Sequence, residues 1–285
     1  MNIFRKISFT NSGEVYFEYI KDSQIVTNPL NFGTNLTLKF NSDKKICTGY
    51  FDMEKKQVIP CSENSIGSEQ CALCRTRSGF NPAFYHATTI STTQDARNHE
   101  PHILYLADFG GEFIKVGIAY HKRKLSRLLE QGARAAIILD ELPTANVARN
   151  YEAKITKLPN FVESVRTGAK LKLLSDKFNY DSAQARLKSA HAKISDRLNL
   201  QFNDDVITLD GFYAHGELPT EFQTLPFENS RIISGQFIAL VGNFAFFCNS
   251  GQTFIVNTKD FAGYQFGSSN EVLAMDLPEQ QTRLF

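Results

Sequence analysis

One stretch sets the order of the fold: His102-Ile103-Leu104-Tyr105-Leu106-Ala107, then Asp108-Phe109-Gly110-Gly111, then Glu112-Phe113-Ile114-Lys115-Val116-Gly117. The first six residues are apolar with a single hydroxyl and predict a short strand. Paired glycines tolerate positive φ and predict a turn, so the next run returns as the second arm of a hairpin. Downstream, Lys122 to Gln131 reads as a helix stopped by Gly132. Ala135-Ala136-Ile137-Ile138-Leu139 is wholly apolar and predicts a buried strand. Pro143-Thr144 opens a further helix, with Thr144 or the residues before it as the cap, running to about Leu158 ahead of Pro159. The predicted order over residues 102–160 is β-β-α-β-α.

On the N-terminal side, residues 1–101 read as β-rich and irregular. Alternation in Glu14-Val15-Tyr16-Phe17-Glu18-Tyr19-Ile20 and in Asn35-Leu36-Thr37-Leu38-Lys39-Phe40 predicts half-buried strands. On the C-terminal side, residues 161–200 are helical in pattern. Residues 201–285 return to short strands, Ile232 to Val241, Ala245 to Cys248 and Thr253 to Val256, and predict a small antiparallel, barrel-like domain. The fold class expected is α+β.

The 285 residues are 42% hydrophobic and 21% charged, enough apolar material for a buried core and incompatible with general disorder. No run of about 18 apolar residues occurs, so no transmembrane helix and no membrane partner are expected. The first residues lack the apolar stretch of a signal peptide, and a cytoplasmic location is expected. Net charge is only +1, yet residues 112–200 carry 17 Lys+Arg against 9 Asp+Glu, and residues 201–285 carry 3 against 10. Clustered cations are either solvated helix faces or a surface for a polyanion, where displaced counterions supply free energy. Lys122, Arg123 and Lys124 are the candidate nucleic-acid contacts. The acidic C-terminal part is the candidate surface for a protein partner.

Four of the five cysteines run Cys47, Cys61, Cys71, Cys74. Cys71 and Cys74 form a C-x2-C knuckle, which presents two thiolates on one turn to a tetrahedral ion; Cys61 and Cys47 complete a closed structural zinc site. His86 or His99 can replace either, and the alternative is a set of buried reduced thiols. Cys248 lies in an apolar strand and is expected in the core.

The β-β-α-β-α order, with Tyr105 on its first strand, Lys115-Val116-Gly117 on its second, Arg127 on the next helix and Glu152 on the last, resembles the GIY-YIG endonuclease superfamily. Lys115 stands where that superfamily has a tyrosine. Arg127 falls two residues later than usual, with Arg123 as its rival. Leu104-Tyr105-Leu106-Ala107, Lys115-Val116-Gly117-Ile118 and Glu130-Gln131-Gly132-Ala133 are similar to the core signature of a bacterial family of unknown function, in which a cysteine-rich zinc module precedes a GIY-YIG-like domain. Members of that family carry paired C-x2-C knuckles, whereas Tyr50 stands three residues after Cys47 here. The resemblance implies a nucleic-acid substrate and phosphodiester hydrolysis. Glu152 would hold one Mg²⁺ or Mn²⁺ with water filling the other positions, and Arg127 would offer a planar fork to phosphate. Tyr105 would orient or deprotonate water, and Lys115 would stabilise charge or act as a base. The alternative within the same resemblance is a catalytically silent binding module, and outside it an interaction protein.

Overall fold

A computed structural model describes residues 1–41, 43–81, 90–228, 231–275 and 277. In chain order the strands are β1 (Asn2–Phe9), β2 (Val15–Lys21), β3 (Gln24–Pro29), β4 (Asn35–Phe40), β5 (Tyr50–Asp52), β6 (Gln57–Ile59), β7 (His102–Asp108), β8 (Ile114–Tyr120), β9 (Ala135–Leu142), β10 (Phe161–Val162), β11 (Val206–Thr208), β12 (Gln223–Thr224), β13 (Ile232–Val241), β14 (Phe244–Asn249), β15 (Gln252–Asn257) and β16 (Gln265–Ser269). The helices are α1 (Ala72–Ser78), α2 (Thr92–Asn98), α3 (Lys124–Gln131), α4 (Ala145–Ile155), α5 (Thr167–Leu174) and α6 (Tyr180–Leu198). The class is α+β, with sheets predominating.

The chain divides into two compact units. One gathers Met1–Ser8, Val15–Arg97 and Glu221–Phe285; the other gathers Phe9–Glu14 and Asn98–Thr220. The first unit is built on a nine-stranded sheet, ordered β12-β15-β14-β13-β4-β16-β1-β2-β3. The C-terminal strands therefore do not close on themselves as a small barrel. Strand β4 lies between β13 and β16, pairing Leu38 with Ile233 on one side and Lys39 with Gly267 on the other. Leu36, Thr37, Leu38 and Phe40 of β4 are all buried, as befits a central strand covered on both faces. Phenylalanine supplies the packing that tryptophan does not. Phe4 meets Phe17 at 5.5 Å, Phe40 meets Phe261 at 4.8 Å, and Phe247 stacks on Phe254 at 5.5 Å.

The second unit carries the β-β-α-β-α order on a five-stranded sheet, β10-β8-β7-β9-β11. Strand β7 is central and buried along its whole length, as a continuous apolar run requires. It pairs antiparallel with β8 through Tyr105–Gly117 and with β9 through Tyr105–Ile138. Leu104, Leu106, Val116 and Ile137 join Ala148 and Ile155 of α4 and Leu187 and Ile194 of α6 in one core. The helix expected from Lys122 begins as a 3-10 turn over His121–Arg123 and becomes α-helical at Lys124. The Thr144 hydroxyl accepts from the Val147 N–H at 3.2 Å, capping α4, which ends at Ile155. Residues 161–200 are not wholly helical: Phe161 and Val162 add β10 in parallel to β8. Beyond that segment, β11 borders β9 antiparallel.

Candidate functional site

Two clusters carry chemistry. In the first, the sulfurs of Cys47, Cys61, Cys71 and Cys74 all lie within 4.8 Å of one another. Four thiolates held ~2.3 Å from a tetrahedral ion stand ~3.8 Å apart, and the Cys61 and Cys71 sulfurs are 4.0 Å apart. All four cysteines are free, and that separation is twice a disulfide bond length of ~2.05 Å. The cluster can therefore hold one metal ion such as zinc.

The local chain explains how unevenly spaced cysteines meet. Residues 45–48 run beside residues 65–69, with the Cys47 N–H donating to the Ser65 carbonyl and the Thr48 N–H to the Glu69 carbonyl, each at 2.8 Å. Gly49 turns the chain at φ 87°, where a side chain would collide with the Ile59 carbonyl. The Cys47 sulfur accepts from the Cys71 N–H at 3.2 Å and the Gly49 N–H at 3.5 Å, and the Cys71 sulfur accepts from the Cys74 N–H at 3.5 Å. That last contact caps α1 and, as the main cause, draws the Cys71 thiol down to about 6. Burial raises Cys74 and Cys47 instead. Tyr50, three residues after Cys47 where a cysteine would complete a second knuckle, packs against the cluster. His99 is no member of it, and His86 lies outside the described residues. Cys248 is half-buried on β14, apart from the four.

The second cluster forms around Tyr105, which is 1% exposed. Both groups facing the Gln131 amide, Tyr105 and Arg127, carry N–H or O–H, and arginine can only donate, so the amide oxygen faces them. Gln131 Oε1 then accepts from Tyr105 Oη at 2.7 Å, from Arg127 Nε at 2.9 Å and from Arg127 Nη2 at 3.2 Å. Burial pushes the Tyr105 phenol upward, with the Arg127 charge working against it. Lys115, 9% exposed, donates from Nζ to the Glu163 carbonyl. Burial, and next the Arg127 charge, pull its ammonium down to about 8.

Glu152 stands at one remove. It is 7% exposed on the buried face of α4, and among the described residues no hydrogen bond or ion pair reaches its carboxylate. Burial, and after it the Glu163 charge, push its carboxyl up to about 7. Tyr105, Arg127 and Lys115 thus gather together, while Glu152 connects to them through Glu163. Gln131 and Glu163 are the participants that sequence reasoning missed. Gln131 is four residues beyond Arg127 on α3, the spacing of helical neighbours; Glu163 carries no comparable signal.

The three basic candidates differ in availability. Lys122 is exposed, whereas Arg123 pairs with Glu130, and Lys124 Nζ lies 2.6 Å from Glu141, which His121 also approaches at 3.2 Å. Arg123 is committed on its exposed face of the helix, and Arg127 is the arginine that reaches Tyr105.

Fold and clusters together define an α+β protein with a four-cysteine centre able to take a metal. Residues 33–266 match the family described as protein of unknown function (DUF2797), and the chain belongs to that family. No curated protein and no solved structure matches it. No helix among the described residues is long and apolar enough to cross a membrane.

Proposed function

We propose that this chain binds nucleic acid through a GIY-YIG-like unit, with Arg127 and Lys115 receiving a backbone phosphate beside Tyr105 and with the cysteine centre holding a structural zinc. The observation that carries the reading is two neighbouring cations that share no close carboxylate, the Glu163 charge only partly offsetting their repulsion at Lys115. Arg127 and Lys115 are close enough for the one to lower the other's basicity, and neither meets a carboxylate in an ion pair among the described residues. Such a pair gains most from a phosphate, which relieves the repulsion and accepts from both. The positive balance of residues 112–200 extends the field in which a polyanion is drawn in. Four sulfurs without an open position suit a zinc that orders the surrounding loops and takes no part in chemistry.

Hydrolysis is the second reading, and Glu152 favours it. A buried carboxylate without a partner needs a proton or a cation, and Glu152 would hold one Mg²⁺ or Mn²⁺, which would polarise the phosphoryl group and its attacking water. Tyr105 would orient that water and Lys115 would meet the developing charge. One experiment separates the two. RNA and DNA oligonucleotides are incubated with wild type and Glu152→Ala, with Mg²⁺, with Mn²⁺ and with EDTA. Binding without cleavage supports the silent site; metal-dependent cleavage lost in Glu152→Ala supports the nuclease. Absence of binding to either polymer at low salt overturns both.

A further inference from the structure

The Gln131 side chain has no role in the reading above, yet it is the group on which Tyr105 and Arg127 converge. We propose that Gln131 is a positioning residue: it holds Arg127 by one edge of its guanidinium, so that the opposite edge is aimed at two oxygens of a single phosphodiester. The inference rests on the nucleic-acid reading and names the part of the substrate that Arg127 reads.

The chemistry follows from counting donors. A guanidinium has five N–H groups in one plane. Gln131 Oε1 takes the Nε hydrogen at 2.9 Å and one Nη2 hydrogen at 3.2 Å. The Nη1 amino group and the second Nη2 hydrogen remain, and together they form the end-on fork that matches two non-bridging phosphate oxygens. Among the described residues no carboxylate forms an ion pair with Arg127, and the Tyr105 hydroxyl neighbours it on the side of Gln131. Lysine at position 127 would supply the charge without the fork.

Gln131 is itself fixed from three sides. Its main-chain carbonyl accepts from Lys170 Nζ at 2.6 Å. Its amide oxygen accepts from Tyr105 Oη at 2.7 Å, and that tyrosine is buried on the central strand. The helix ends at the next residue, Gly132, whose N–H turns back to the carbonyls of Leu128 and Leu129. The acceptor that orients Arg127 is therefore locked before any ligand arrives, which lowers the entropy lost on binding. A neutral acceptor matters as well. A carboxylate in its place would hold the arginine equally well but cancel the charge that phosphate needs.

That contrast gives the test. Full-length wild type, Gln131→Leu, Gln131→Glu and Arg127→Lys are compared by two readouts. The first is affinity for a fluorescent single-stranded 2′-O-methyl RNA 12-mer, measured without added Mg²⁺ or Mn²⁺ and without chelator, so that the cysteine centre stays loaded and no metal-dependent cleavage proceeds. The second is the ¹⁵N-resolved Nε–H signal of Arg127 in the free protein and its exchange with water. Gln131→Leu is expected to speed that exchange at least tenfold and to weaken RNA binding about fivefold to tenfold, as Arg127→Lys does. Gln131→Glu is expected to keep the slow Nε–H while losing a similar share of the affinity, and it also serves if the leucine variant folds poorly. Slow exchange retained in Gln131→Leu overturns the positioning role, whether or not RNA binds. If wild type binds no RNA, the nucleic-acid reading falls and with it the phosphate assignment. If wild type binds and Gln131→Leu and Gln131→Glu bind as tightly, the phosphate assignment alone falls.

Discussion

The Tyr105 hydroxyl occupies the space that a side chain at Gly117 would need: a Cβ there would stand 2.5 Å from Tyr105 Oη and 2.6 Å from Cζ. The two residues face each other across the hairpin of β7 and β8. Glycine is thus required by the tyrosine, and the tyrosine's position is what brings its hydroxyl to Gln131. Because Tyr105 is buried on a central strand, it cannot swing into solvent to make room.

Gly117→Ala is accordingly expected to destabilise the second unit by about 1–3 kcal/mol through overpacking. Chemical denaturation followed by tyrosine fluorescence measures the loss. Double substitution with Tyr105→Phe, which removes the clashing oxygen, should recover part of it; no recovery would separate the glycine from the hydroxyl.

Glu152 should make stability fall with rising pH. Its carboxyl sits at about 7 in the fold against 4.5 ordinarily, so between these values the folded chain holds a proton that the unfolded chain has released. Stability linked to this group is greatest below about pH 4.5 and declines as pH rises through 7, by up to ~3 kcal/mol. Glu152→Gln should match wild type near pH 5 and exceed it at pH 8 in urea unfolding. Equal pH dependence in both proteins would remove Glu152 as the source.

Purified protein is expected to carry one zinc per chain, lost in Cys71→Ser or Cys74→Ser. Since Cys47 is within 4.8 Å of the other three sulfurs, Cys47→Ala should also lower the zinc content, as read by elemental analysis. Chelation should release amide protection around residues 45–49 and 65–74 before it affects β7 to β9.

Salt dependence should reveal how much of the basic turn is available. Arg123 and Lys124 already face Glu130 and Glu141, whereas Lys122 is exposed. Replacing all three by alanine is expected to reduce the slope of log affinity against log salt by about one contact's worth instead of three. A full three-contact reduction would show that both ion pairs open when RNA or DNA binds.

The parts of this fold that could be read from sequence are those fixed by neighbours along the chain. Apolar runs, the turn at Gly110-Gly111 and the Thr144 cap are local signals, and the β-β-α-β-α order follows from them. The cysteine centre was legible in its Cys71-Cys74 half for the same reason, and its other half required the pairing of residues 45–48 with 65–69 to be known. Strand β10 has two residues and no period to detect. The union of β4 with β13 joins residues nearly two hundred positions apart, and no local pattern in Asn35–Phe40 names its partner. Gln131 was hidden differently. Glutamine on a helix is ordinarily a solvated surface residue, and only the arrival of Tyr105 from β7 gives it work.

The place of β4 in its sheet also sets a timetable. Its partner β13 emerges from the ribosome some 190 residues after β4 itself, an interval of roughly 10–40 s at 5–20 residues per second. During that time β1 to β3 can pair among themselves, while β4 has both edges open and its apolar side chains uncovered. Asn98–Thr220, nearly all of the second unit, is synthesised within the same interval and can finish folding first. Newborn chains should therefore lean on chaperones through the early strands, and a stalled or truncated chain ending before residue 232 should be prone to aggregate through them.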